Sequence, residues 1–147
     1  MQDESREFRL SDLSDICYKI SSSPCRTDAA RTILIVAFVG NYRDGSAGRG
    51  DAQFMAAVIE RALTASSYAG LVIDLRELAY EWGDDVLDLL YGDFQQLPAA
   101  LVTSPRNHAA LESLQATGLR PLFGTDSAHP LGLALDEALV NVEDRVL

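Results

Sequence analysis

The sequence predicts an α/β domain: a mostly parallel or mixed sheet of about four to five strands with helical cover. Three observations carry that prediction. Two apolar runs rich in branched residues, Thr32–Val39 (TILIVAFV) and Gly70–Leu75 (GLVIDL), suit strands buried on both faces. Segments with apolar residues at helical spacing follow them. Strands alternating with helices of about 10–14 residues imply right-handed crossovers and parallel pairing.

Taken in order, residues 1–15 are polar and read as a loosely docked N-terminal segment, leaving 16–147 as a single domain. Ile16–Ile20 (ICYKI) alternates like a short strand, and SSSPCRTDAAR reads as a loop. After Thr32–Val39 comes a glycine-rich connection, Gly40–Gly50 (GNYRDGSAGRG). Asp51 is placed to N-cap the next helix, AQFMAAVIERALTA, because its carboxylate can accept from free backbone amides. Phe54, Val58 and Ala62, with Met55 and Ile59, form that helix's apolar stripe.

The strand Gly70–Leu75 leads through a connection to a helix expected over Asp84–Gln96, with Val86, Leu87, Leu89, Leu90 and Phe94 inward. Ala99–Thr103 reads as another strand. Ser104-Pro105 then starts a helix, a hydroxyl cap followed by proline at the first helical position. That helix runs through Leu111 and Leu114 and stops at Gly118. Arg120–Phe123 reads as a short last strand and Leu131–Val142 as a terminal helix.

Composition narrows the function classes. Of 147 residues 48% are apolar and 23% charged, an ordinary globular balance well away from the disordered class. With 22 acids against 12 bases the formal net charge is −10. Such a surface repels nucleic-acid phosphate and anionic lipid, so neither nucleic acid nor membrane is expected as a partner. The longest apolar run, Ile33–Val39, falls far short of the roughly 20 residues a membrane span needs. MQDESREFRL carries no secretory signal pattern, and a cytoplasmic protein is expected. Cys17 and Cys25, the only cysteines, form neither a CxxC pair nor a zinc half-site and read as two reduced thiols.

The chemical motifs are weak. The glycine loop occupies the place of a phosphate-binding loop, but no Gly-Lys-Ser/Thr closes it and GxGxxG is absent. It reads as an exposed, flexible connection, and Arg49-Gly50-Asp51 within it as coincidence. Asp74 at a strand end and Asp84, Asp85 and Asp88 on the next helix offer paired carboxylates for acid–base work or a divalent cation. Acids in a first helical turn are equally favoured by the helix dipole, which is the simpler reading. His108 and His129 lack further ligands at recognisable spacing, so no metal and no cofactor are expected. There is no GxSxG elbow. Trp82, beside Gly83, is either a local core plug, the preferred reading, or an anchor for a protein contact.

The order of elements resembles the STAS domain of anti-sigma factor antagonists and sulfate-transporter tails, over about residues 16–140. Val72-Ile73-Asp74-Leu75 is similar to that family's VxDL strand. Ala116-Thr117-Gly118-Leu119 with Leu122-Phe123 is similar to its TGLxxxF stretch, and the final DS…ALDEAL to its last helix. The resemblance implies regulation through protein contact. Antagonists of this family carry Asp-Ser-Ser-Gly at the helix start, where a kinase phosphorylates a serine to release the target. Here the matching positions read Trp82-Gly83-Asp84-Asp85, with no hydroxyl to phosphorylate. Asp84 stands about where the serine would be and offers a fixed charge, smaller than a phosphate's.

A second resemblance is to the crotonase-like fold, which includes enoyl-CoA hydratases. Gly45-Ser46-Ala47-Gly48-Arg49-Gly50-Asp51 is similar to its SAGxD loop, which implies an oxyanion hole for an acyl-thioester. The chain is shorter than such enzymes usually are. Ser104-Pro105-Arg106-Asn107 lacks the glycines of the second amide donor, and proline has no amide hydrogen to give.

The resulting expectation is a non-catalytic, STAS-like regulatory domain. Its partner surface is Tyr80, Trp82, Gly83, Asp84, Asp85 and Asp88, with the acids facing a protein that carries a basic patch. The apolar content also permits a homodimer.

Overall fold

The computed structural model describes residues 9–83, 97–111 and 135–146. A 3-10 turn, Leu10–Asp12, precedes strand β1 (Cys17–Pro24) and strand β2 (Thr32–Asn41). A second 3-10 turn, Gly45–Gly48, runs directly into helix α1 (Arg49–Ala65). Strand β3 (Gly70–Ala79), strand β4 (Ala99–Val102) and helix α2 (Leu135–Arg145) complete the described elements. The sheet order is β1-β2-β3-β4; β1 is antiparallel to β2, and β2, β3 and β4 are parallel. The expected mixed sheet under helical cover is therefore present.

Side-chain alternation divides the sheet into two faces. On one, Leu34, Val36 and Phe38 of β2, Leu71, Ile73 and Leu75 of β3, and Ala99 and Leu101 of β4 form a single buried cluster with α1. The helix contributes the predicted stripe, with Phe54, Met55, Val58, Ile59 and Ala62 all buried. Met55 and Ile59 are fully sealed, and a side chain of that size contributes about 1.5–3 kcal/mol on leaving water. On the other face Ile33, Val72, Ala100 and Val102 meet Ala138 and Val142 of α2, with Cys25 at the margin.

The second face is pinned by polar contacts as well. Glu143 of α2 accepts from the Thr27 amide at 3.0 Å and from Arg26 Nε at 3.4 Å, tying the β1–β2 connection to the helix. Arg145 donates to the Ala99 carbonyl. β1 lies at the edge of the sheet among the described residues, and nearly all of its side chains are exposed.

Several boundaries differ from expectation for identifiable reasons. β1 extends to Pro24 because its serines pair with the buried strand β2 in unbroken register, from Cys17 opposite Val39 to Pro24 opposite Thr32. β3 runs four residues beyond Leu75 through a bulge: Ala37 faces Asp74 and Val39 faces Glu77, so Leu75 and Arg76 together oppose Phe38. The turn after β4 is helical from residue 108, later than Ser104-Pro105 suggested. Ser104 still opens it, its carbonyl accepting from the amides of Asn107 and His108. The helix expected over Asp84–Gln96, the strand Arg120–Phe123 and the stop at Gly118 lie outside the described residues.

Candidate functional site

The carboxyl ends of the parallel strands release three loops side by side, the position at which open α/β sheets usually present their function. The first follows β2. Asp51, expected as an N-cap, sits instead inside the first turn of α1 and is 1% exposed. The 3-10 turn feeds α1 three residues early, so the helix begins at Arg49 and Asp51 falls within its first turn. Asp51 accepts from the Arg43 amide at 2.8 Å, from Arg43 Nε at 3.0 Å and from Ser14 Oγ at 2.5 Å. Arg43 also donates to the Leu13 carbonyl at 2.6 Å. The Asp51 hydrogen bond holds the Arg43 guanidinium further above its already high ordinary pKa. The loop that reads as flexible is thus fastened to the N-terminal segment by a buried acid.

The second loop follows β3. Tyr80, a predicted contact residue, is only 2% exposed. Its hydroxyl donates to the Gly83 carbonyl at 2.7 Å, and its ring packs edge-on against Tyr42 with centroids 5.2 Å apart. Gly83 is buried too, at φ +135°, a conformation that favours glycine. Both act as supports. The plug expected of Trp82 is supplied by Tyr80, because the short connection can turn one large ring inward and leaves the other outside. Trp82 is 61% exposed. Asp84, Asp85 and Asp88 lie outside the described residues.

The third loop braces the β3 bulge. Asn107, buried, donates through Nδ2 to the carbonyls of Leu75 at 2.6 Å and Leu78 at 2.7 Å, and its Oδ1 accepts from the Ser104 amide at 3.2 Å. Ser104 Oγ donates to the Arg76 carbonyl at 2.8 Å. Carbonyls of β3 beyond Asp74, where pairing with β4 ends, thereby find partners. Beside them Arg76 grips Asp74 with two nitrogens at 2.9 and 2.8 Å, so the Asp74 carboxylate is engaged in an ion pair. A shallow cavity of about 310 Å³ opens between this pair and Ala37, Phe38 and Glu77.

Among the described residues no cluster of His, Cys, Asp and Glu is arranged to hold a metal ion. Thr103 Oγ1 and His108 Nδ1 are 2.9 Å apart, a local contact within the third loop. The loop likened to an acyl-thioester site presents a 3-10 turn at Gly45–Gly48, and its acid, Asp51, is already engaged by Arg43 and Ser14. Both cysteines are free thiols, Cys17 exposed and Cys25 buried. Burial pushes the Cys25 thiol pKa upward. No helix among the described residues is long and apolar enough to cross a membrane.

The molecule is an open mixed α/β sheet whose polar groups at the strand ends fasten loops to one another, with an aromatic left in solvent between them. No protein-family model matches the chain, and no curated protein does. Among solved structures the chain is similar to an anti-sigma factor antagonist from Mycobacterium paratuberculosis. The two share 22% identity with a TM-score of 0.54 over 88% of this chain and 96% of that one. The fold is accordingly that of an anti-sigma factor antagonist, a STAS-type sheet, as the resemblance in the sequence implies.

Sequence reasoning missed Ser14, Arg43 and Asn107. An arginine eight residues before an aspartate and a serine 37 before it carry no local signal, since the fold alone brings them together. Asn107 was within reach, because an asparagine three residues after a cap serine is well suited to a turn that returns bonds to backbone.

Proposed function

We propose that the chain is a regulatory domain that acts by binding a protein, without catalysis, through the connection after β3. The observation that supports this most directly is Trp82. A large apolar ring left 61% exposed at the mouth of a STAS-type sheet is the kind of side chain that anchors protein contacts. Asp84, Asp85 and Asp88 follow it in sequence and suit a partner with a basic patch. Where the resemblance would place a phosphorylatable serine this chain has Asp84, so the charge at that point is permanent.

The test reverses that charge. Asp84→Lys combined with Asp85→Lys is compared with the native chain as bait for proteins from its own cell extract. The expected result is loss of the captured partner with an unaltered far-ultraviolet spectrum and melting temperature. Capture that survives the reversal overturns the proposal.

A further inference from the structure

The two loops on either side of Trp82 interlock through Gly45. One edge of the indole lies over this glycine: a Cβ placed there would stand 2.6 Å from Cη2, 3.0 Å from Cζ3 and 3.3 Å from Cζ2 of Trp82. Contacts below 3.0 Å are essentially never made by real Cβ atoms, so a side chain at position 45 and the ring in this position exclude each other. The Gly45 amide also donates to the Trp82 carbonyl at 3.3 Å. The next residue, Gly83, lies against the Gly45 backbone, where a Cβ would be 3.2 Å from its nitrogen and 3.3 Å from its oxygen. Trp82 is thus registered on one residue of the other loop by both its ring and its main chain.

That other loop is itself fixed. The Tyr42 amide donates to the Ala79 carbonyl at 2.8 Å, and the Arg43 amide to buried Asp51 at the same distance. Arg43's charge is balanced by Asp51, whereas Asp44, just before Gly45, and Glu81, just before Trp82, are both exposed. An aromatic anchor binds best when its conformation is set before contact, because less freedom is then lost on association.

We infer that Gly45 is a positioning residue of the docking surface, the bare seat that holds the Trp82 indole, and that the surface is built from two loops. The inference rests on the reading of Trp82 as a partner anchor. It assigns a role to the glycine loop that its sequence pattern alone left as an exposed connection.

Trp82 is the single tryptophan of the chain, so intrinsic fluorescence and the near-ultraviolet indole band report on this ring alone. Gly45→Asn is the main variant. Asparagine tolerates the left-handed backbone at φ +62° yet brings a Cβ, which separates the ring contact from backbone strain. Gly45→Ala is the companion. Both are expected to lose the indole band and to gain acrylamide quenching, with Gly45→Asn melting within about 4 °C of the native chain. Native indole signals in Gly45→Asn overturn the seat and leave the docking proposal standing. Capture of the partner by Trp82→Ala at the native level overturns the docking proposal itself, and the seat then positions nothing.

Discussion

The two faces of the sheet are held down by different means. Against α1 the cover is a long helix whose apolar stripe meets three strands, and the contact is almost wholly aliphatic and aromatic. Against α2 the apolar cluster is smaller, and Glu143 and Arg145 add hydrogen bonds to the β1–β2 connection and to β4. Apolar burial scales with area and survives acid and salt, whereas charged pins depend on protonation and screening. The first face is therefore the foundation of the fold and the second its adjustable side.

The largest effect is expected at the foundation. Ile59→Ala removes a fully buried side chain from α1 and should cost about 2–5 kcal/mol of unfolding free energy in a urea titration. A loss below 1 kcal/mol would break the comparison. On the second face Val142→Ala should cost less, about 1–2 kcal/mol. It should also speed modification of buried Cys25 by a thiol reagent while leaving exposed Cys17 unchanged. Parallel acceleration at both thiols would mean that the two faces open together.

The smallest effect belongs to Glu143, and its sign follows from linkage. Burial alone would raise the Glu143 pKa. The amides of Thr27 and Arg26 together with the Arg26 guanidinium outweigh it and hold the group below its ordinary value of 4.5. Stability gained from this pin is present above the unfolded-state value and lost as pH falls through the lower folded one. Melting temperatures should show the native chain steeper than Glu143→Gln between about pH 5 and pH 3. Equal slopes would remove the pin from the account.

Legibility in the sequence tracked the same division. The α1 face could be read because its signals are periodic: the β2 run, the stripe from Phe54 to Ala62 and the GLVIDL strand all carry their own spacing. The long-range polar fastenings could not, since they join residues distant in sequence, as Glu143 with Thr27 and Asn107 with Leu75. Asp51 reads locally as a helix cap, and only the fold brings Ser14 and Arg43 to it. In the sequence β3 reads as ending at Leu75 because Arg76 and Glu77 interrupt the apolar pattern, whereas the bulge turns both outward and lets pairing resume. At the candidate site the connection was legible as a place. Which of Tyr80 and Trp82 is buried was not, because choosing which ring faces inward takes three-dimensional space.

The exposed edge strand has a consequence for how the protein behaves in a crowded solution. Along β1 the outer row of amides and carbonyls has no described neighbour, which is a template on which a further strand could grow. Lys19 stands near the middle of that strand and Pro24 closes it. An arriving chain must strip water from an ammonium group and then meets a residue with no amide to offer. Lys19 and Pro24 are thus the two features of β1 that oppose edge-to-edge pairing of copies.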